Sequence, residues 1–333
     1  MINWQHFKEI IDSSSTVVLT AHQRPDGDCL GSEMAMYAAL TSIGKEVRIV
    51  NPHRTPPNLV FIDPNKRIKA LEDLTAEERK WVDNVSLHLV LDTSSWAQLG
   101  AMADVFRNSK AKQKAVIDHH DLGDDIGAER FIRPAAEATG ILVIEAIQSL
   151  GIPLNKEIAE PAFTAIATDT GWFRFKSVSS GTFRTAADLL DAGAVPSEIY
   201  RCNSEQESLG RIRLVGRILS KTENYFDGKV YFSNVSLDDL EKAGALPSDT
   251  EDIINILLRI RDSKMAVLIS ELKDKTFKIS FRSRCAVDCS KLARQFGGGG
   301  HKAAAGASSA VSFDETKKAV LDAIEKELIQ NNI

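Results

Sequence analysis

The 333-residue chain has only four cysteines, and none of them stands in a Cys-x-x-Cys pair. Cys29 and Cys202 are isolated, and Cys285 and Cys289 are separated by three residues. A structural zinc site built on paired cysteines is therefore excluded, and all four read as ordinary reduced thiols. No segment approaches the roughly 18–20 unbroken apolar residues of a membrane span. The stretch from Met1 to Ser15 lacks a basic region followed by an apolar core, so no secretory signal is visible and a cytoplasmic location is expected. An excess of positive charge is missing too: 41 Lys and Arg against 46 Asp and Glu give a formal net charge of −5. That balance excludes a protein that coats long duplex nucleic acid, because such binding depends on neutralising many phosphates, but it leaves room for a local phosphate site. No internal repeat or low-complexity tract is present, and the only run is Gly297 to Gly300.

What is present is a globular composition, 43% hydrophobic and 26% charged, long enough for two domains. The first half alternates strand-like and helical segments. Thr16–Thr20 is a β-branched run that reads as a buried strand. Residues 30–43 have helical spacing and stop at Gly44. Glu46–Val50, Leu87–Leu91 and Ala115–Ile117 read as further strands. This βαβ pattern predicts an α/β fold with a doubly wound, mostly parallel sheet covered by helices. Further on, residues 182–191 read as a short helix ending at Gly193, and residues 205–219 as a polar helix able to bridge two domains. From Asn224 the texture is antiparallel, with strands at 229–232, 265–269 and 276–281. The expected organisation is a catalytic domain over 1–204, a linker helix over 205–222 and a smaller α/β domain over 223–333.

The chemistry-bearing residues fall into four clusters: His22-x-x-x-Asp26-x-Asp28, Asp92, Asp118-His119-His120 and Thr168-Asp169-Thr170-Gly171. Three of them follow strand-like runs directly or by one or two residues. In parallel sheets ligands collect outside the carboxyl ends of the strands, so the clusters lie where that architecture builds sites. Taken singly each has an ordinary explanation. Asp26-Gly27-Asp28 makes a solvated turn, and an Asp after a strand commonly caps the next helix. Taken together, in this order, they read as a two-metal hydrolase site. Ligation rich in oxygen with a minority of imidazoles favours manganese or magnesium, with cobalt allowed, over structural zinc. Two such ions about 3.5–4 Å apart clamp the attacking and leaving oxygens of a phosphoryl group. His6, His53 and His88 lack carboxylates in the same register and read as structural or surface histidines.

Between Thr276 and Lys302 six basic residues, Lys278, Arg282, Arg284, Lys291, Arg294 and Lys302, face the single acid Asp288. In an acidic chain this is a local anion site. The Gly297–Gly300 run would let backbone N–H groups approach a phosphate, with His301 adding a donor, and Arg282 could grip a terminal phosphate.

The clusters His22-Gln23-Arg24-Pro25-Asp26-Gly27-Asp28, Asp92, Asp118-His119-His120 and Thr168-Asp169-Thr170-Gly171 resemble the four motifs of the DHH phosphoesterase superfamily. Gly298-Gly299-Gly300-His301, preceded by Ser280-Phe281-Arg282-Ser283, resembles the DHHA1 substrate domain. The resemblance covers nearly the whole chain and is strongest to the nanoRNase and pAp-phosphatase group. It implies one metal on His22, Asp26 and Asp92 and a second on Asp28, Asp92, His119 and Asp169, with Asp92 bridging. It also implies that His120 faces the scissile phosphate as hydrogen-bond donor or proton relay, that Asp118 supports its neighbours, and that Arg282, Ser283, Gly298, Gly299, Gly300 and His301 hold substrate phosphate across a cleft between the domains. The expected activity is manganese-dependent hydrolysis of short RNA and dinucleotides such as pApA to mononucleotides, with pAp to AMP as a second reaction and in-line attack without a covalent intermediate. No membrane partner is expected, and a homodimer is allowed. A family II inorganic pyrophosphatase is the first alternative, but its Ser-Arg-Lys element is replaced here by Ser283-Arg284-Cys285. A RecJ-like exonuclease would need more chain. A catalytically silent nucleotide sensor would not need an intact ligand set.

Overall fold

Burial on both faces of the first strands decides the architecture. In a computed structural model describing residues 2–121 and 123–333, Met1 and Leu122 lie outside the described residues. The chain divides into two units, residues 1–206 and 207–333. The first contains α1 (Trp4–Asp12), β1 (Thr16–Thr20), α2 (Gly27–Ser42), β2 (Glu46–Asn51), β3 (Ile68–Ala70), α3 (Ala76–Asp83) and β4 (Leu87–Leu91). It continues with α4 (Trp96–Leu99), α5 (Met102–Asn108), β5 (Gln113–Asp118), β6 (Glu129–Ile132), α6 (Thr139–Ser149), α7 (Lys156–Asp169), α8 (Ser180–Asp191) and α9 (Pro196–Ser204).

The six strands lie in the order β3-β2-β1-β4-β5-β6, and every pair is parallel. Alternate residues enter different cores, as period-2 geometry requires. Val17, Leu19, Leu87, Leu89 and Ile117 pack into the cluster that includes α2, α6 and α7. Val18 joins Val82 and Met102 on the other face, and Val90 and Val116 join Phe106 there. Both faces are covered, so the strands read as continuous apolar runs rather than alternating ones. The strand order reverses between β1 and β4, and such switch points open a crevice at the carboxyl ends of the strands.

Helix α2 starts at Gly27, three residues before the helical spacing begins, because the Asp26 side chain accepts N–H bonds from Asp28 and Cys29 and caps it. The short strands β3 and β6 carry too few residues for a periodic signal. No described helix is long and apolar enough to cross a membrane.

The second unit contains α10 (Leu209–Ser220), β7 (Glu223–Tyr225), β8 (Val230–Val235), α11 (Leu237–Ala243), α12 (Ile253–Leu257), β9 (Met265–Glu271), β10 (Phe277–Ser283), α13 (Cys289–Arg294), β11 (Gly299–Gly300), β12 (Ala304–Ser309) and α14 (Phe313–Gln330). The helix read over 205–219 begins at Leu209, capped by Ser208, and buries Leu214 and Ile218 in this unit's own core. It is therefore part of the second unit rather than a bridge. The sheet order is β11-β12-β10-β9-β8-β7. Its texture is antiparallel except that β8 pairs parallel with β9, since α11 and α12 supply the crossover that a parallel pair requires.

Asp239 holds α10 to α11. It is 1% exposed, accepts bonds from Ser236 in a capping box and from Arg217 Nε at 3.1 Å, and pairs with Lys221. Burial alone would raise its pKa, but Lys221 and the Ser236 donors more than reverse this and hold it down at about 2. A depressed folded-state pKa contributes stability above the ordinary carboxyl range, lost as pH falls through the folded value. Asp239→Asn is expected to cost about 2 kcal/mol, with the half-exposed Lys221 and Arg217 screening part of the pair. The wild-type advantage should disappear in urea titrations as pH falls from about 4 towards 2. A variant as stable as wild type at pH 7 would contradict this.

Candidate metal centre

Three β-strands of the first unit end in ligand-type residues. His22 follows β1, Asp92 follows β4, and Asp118 closes β5 ahead of His119 and His120. Asp28 lies in the first turn of α2, and Asp169 is the last residue of α7. These residues are brought together. One group comprises His22, Asp26, Cys29 and Asp92, a second Asp92, His119 and His120, and a third Asp28, His119 and Asp169, with one donor atom of each residue within 4.8 Å of the others in its group. Asp92 is shared by the first two and His119 by the last two.

The two imidazoles His22 and His119 are held in the same way. His22 Nδ1 donates to the Gln23 carbonyl at 2.9 Å, and His119 Nδ1 donates to the Ala136 carbonyl at 3.2 Å. A carbonyl only accepts, so each Nδ1 donates its proton there and each Nε2 is the nitrogen turned toward the carboxylates. Nε2 of His22 lies 3.3 Å from Asp92 and 3.8 Å from Asp26. Nε2 of His119 lies 3.6 Å from Asp169 and 3.7 Å from both Asp28 and Asp92. A backbone tie on one nitrogen with the other aimed at carboxylates is how histidine ligands are oriented for metals.

The carboxylates are fixed with equal care. Asp28 is buried and accepts the N–H groups of Thr139 and Gly140 at 2.7 and 2.9 Å, at the start of α6. Asp92 is buried, accepts the Thr139 hydroxyl at 2.8 Å, and has a left-handed backbone with φ of 62°. That conformation is uncommon for a residue with a side chain, and such outliers collect at functional sites.

Burial, then the neighbouring Asp92 and Asp169, push the Asp28 carboxyl well above the usual range. Burial does the same to Asp169, opposed by His119, and Asp169 also sits at the negative end of the α7 dipole. Among the described residues no Lys or Arg pairs with Asp26, Asp28, Asp92 or Asp169 within 4.0 Å. Four clustered carboxylates with only imidazoles beside them draw in positive charge: against its burial, Asp26 and Asp92 raise the His22 pKa, and a divalent cation would meet the same demand. Oxygen donors with two prepared imidazoles fit divalent cations.

His120 is different. It is half exposed, and its Nδ1 donates to Asp118 at 2.8 Å. Asp118 is fully buried and takes the Ser94 hydroxyl on its other oxygen at 2.8 Å. The bond to Asp118 raises the His120 pKa against partial burial.

The other histidines stay apart from these groups. His88 is buried against Thr20, and His6 faces Glu9 and Glu129. His53 accepts the Arg24 N–H at 3.2 Å, which ties it to the loop carrying Asp26.

In the second unit the sequence-derived phosphate residues are not all brought together. Arg282 lines a hollow of about 270 Å³ with Lys278, Ser280 and Ser270. Ser283 lies on the opposite face of β10, buried beside the core residues Ile279 and Phe281, and its hydroxyl accepts the Cys285 N–H. The glycine run is shaped by packing. A Cβ at Gly298 would lie 2.1 Å from the Gly306 carbonyl, and one at Gly300 2.6 Å from Ala305 Cα. The N–H groups of Gly297, Gly298 and His301 donate to Arg294, Ala293 and Ala304, so these three do not form an open anion nest. The His301 side chain is exposed.

Cys29, Thr139 and Ser94 were missed by motif reading. Thr139 reaches Asp92 from 47 residues away and carries no local signal. Cys29 lies one residue beyond the Asp26-x-Asp28 motif, close enough to have been noticed.

Residues 16–166 match the DHH family, N-terminal domain, and residues 227–330 the DHHA1 domain. The chain is 30% identical over 315 residues to the bifunctional oligoribonuclease and PAP phosphatase NrnA of Thermus thermophilus, covering 94% of this chain and 90% of that protein. The protein of the same name from Bacillus subtilis is 27% identical over 310 residues, covering 92% and 93% respectively. A solved structure of an exopolyphosphatase-related protein from Bacteroides fragilis matches with a TM-score of 0.87 and 28% identity, over 99% of this chain and 97% of that one. With this whole-length similarity added to the parallel sheet and its clustered carboxylates and imidazoles, the chain belongs to the DHH–DHHA1 family of metal-dependent phosphoesterases.

Proposed function

We propose that this protein is a manganese-dependent phosphodiesterase that cuts short oligoribonucleotides and dinucleotides such as pApA to mononucleotides, and that it also converts pAp to AMP. The observation that carries the reading is the pair of prepared imidazoles facing a shared, buried Asp92 among carboxylates with no Lys or Arg partner. The names of the whole-length relatives supply the substrate class. We assign one ion to His22, Asp26 and Asp92 and a second to Asp28, Asp92, His119 and Asp169. When bound, two such ions neutralise the phosphoryl oxygens and position water for in-line attack.

The chain's own groups do the rest. Thr139 and the first N–H groups of α6 lock Asp28 and Asp92 in place before substrate arrives, so no reorganisation is needed at the moment of reaction. Asp118 accepts from His120 Nδ1 and favours the charged imidazole, whose Nε2–H is then free to donate to a phosphoryl or leaving oxygen. Arg282 and Lys278, on the open face of β10, are assigned to substrate phosphate, with His301 beside the Gly298–Gly300 turn as a further donor. Ser283 then serves its own turn.

Asp118→Asn is expected to lower kcat by roughly 10–100-fold, because an amide orients the imidazole without stabilising its charged form. Two metal ions should still bind, since neither proposed ion uses Asp118. Loss of metal together with activity would refute this role.

The direct test is incubation with manganese and pApA, pGpG, RNA of two to five nucleotides, a 24-mer, pAp and pyrophosphate, followed by chromatography. Mononucleotides from short diesters, with little product from the 24-mer or pyrophosphate, are expected. Phosphate released from pyrophosphate alone would overturn the proposal in favour of a pyrophosphatase, and no turnover of any substrate would overturn it outright.

A further inference from the structure

Cys29 is the member of the first donor group that the ligand assignment leaves unused. It is fully buried in the first turn of α2, and its backbone N–H donates to Asp26 Oδ1 at 3.1 Å. Its Sγ lies 3.6 Å from the Asp26 carbonyl, and the sulfur, a His22 nitrogen and oxygens of Asp26 and Asp92 all lie within 4.8 Å of one another. Donors held at about 2.0–2.3 Å from one ion stand roughly 3–4.5 Å apart, so this spacing suits four ligands around a single centre. The other buried cysteine, Cys289, sits among Phe281, Leu292 and Ala293 in an apolar cluster and belongs to none of the donor groups.

The mixture of donors has a chemical consequence. Two carboxylates and an imidazole suit hard and borderline ions alike, whereas a sulfur discriminates between them. Manganese and magnesium gain little from a thiol, which then keeps its proton. Cobalt, zinc and cadmium form strong bonds to sulfur. We infer that Cys29 makes the first metal position selective for thiophilic ions, such an ion taking the Cys29 sulfur as a fourth protein donor beside His22, Asp26 and Asp92. In that event the S–H bond breaks, its proton passes to water, and the sulfur–metal bond forms with no change of oxidation state. Four protein donors close a position that three leave open, so a thiophilic ion would be held tightly at the expense of access to the ion. The inference rests on the metal reading under Proposed function and adds a residue to it.

The test uses the full-length protein freed of metal and titrated with cobalt chloride. Near-ultraviolet absorption reports a sulfur-to-cobalt charge-transfer band, while calorimetry reports the number of ions bound. The band should saturate at one of two equivalents, vanish in Cys29→Ser and Cys29→Ala, and persist in Cys202→Ser and Cys289→Ser. Cadmium affinity should fall roughly 10–100-fold in Cys29→Ala, with manganese affinity much less affected. Two bound equivalents without the band, or a band that survives in Cys29→Ser, would overturn this inference and leave the two-metal reading standing. Failure of the wild-type protein to bind cobalt would overturn both.

Discussion

Asp92→Asn should lose roughly three orders of magnitude in kcat/KM on pApA while the metal-free protein becomes no less stable. Asp92 is shared by both proposed ion positions, and losing several kcal/mol of metal-derived transition-state stabilisation corresponds to a rate loss of about that size. The opposite sign for stability follows from the site's charge. Asp28, Asp92 and Asp169 crowd together, and burial followed by the repulsion of Asp92 and Asp169 holds the Asp28 carboxyl above its usual range. An amide at position 92 removes one of the three charges, keeps the side-chain shape, and still offers Oδ1 to the Thr139 hydroxyl. Asn also tolerates the left-handed backbone found there. Metal should then reveal the cost. At a free-ion concentration of about 100 Kd a single site stabilises the folded chain by about 2.7 kcal/mol, and the variant should show only a fraction of the wild-type rise in melting temperature on adding manganese. Near-wild-type turnover, or an undiminished thermal response to manganese, would remove Asp92 from the centre of the site.

The central strands and the residues proposed as ligands were legible for the same physical reason. Strands buried on both faces, such as Val17–Leu19 and Leu89–Leu91, are apolar, and the polar residues His22 and Asp92 beyond their ends have to be explained by something at the sheet's carboxyl edge. The strand order was not legible, because no residue in β1 records that its neighbours are β2 and β4. Nor were the residues that fix the proposed ligands, since Thr139 and the Gln23 and Ala136 carbonyls become partners only after folding. On β10 the signal was available but unused. The period-2 alternation that places Ser283 with Ile279 and Phe281 in the core also places Arg282 with Ser280 and Lys278 on the other face. The Gly297–Gly300 run misled because glycine serves close backbone approach and anion binding alike, and the demands visible here at Gly298 and Gly300 come from packing against β12.

Gly31→Ala should be among the most damaging single-methyl changes in the chain, because it acts where two helices carrying proposed ligands touch. Helix α2 carries Asp28 and α7 carries Asp169, and the helices meet at Gly31. A Cβ there would lie 2.3 Å from the Pro161 carbonyl oxygen and 2.9 Å from the Ala165 nitrogen. Both are backbone atoms, so no side chain can swing away, and the helices must separate. Overpacking of this kind costs about 3 kcal/mol or more, a loss on the order of 10 °C in melting temperature for a unit of this size. Separation would also pull Asp169 from Asp28 and His119, so affinity for the second ion should fall with stability. Gly216→Ala provides the internal comparison. Gly216 also lies within a helix, α10, but a Cβ there meets nothing within 4 Å. Its replacement should stabilise by roughly 0.5–1 kcal/mol, through helix propensity and the reduced freedom of the unfolded chain. Opposite signs at the two positions, with manganese affinity reduced only at Gly31, are the expected pattern in paired melting and calorimetric measurements. Equal, small effects at both would mean that the α2–α7 contact does not set the spacing between Asp28 and Asp169.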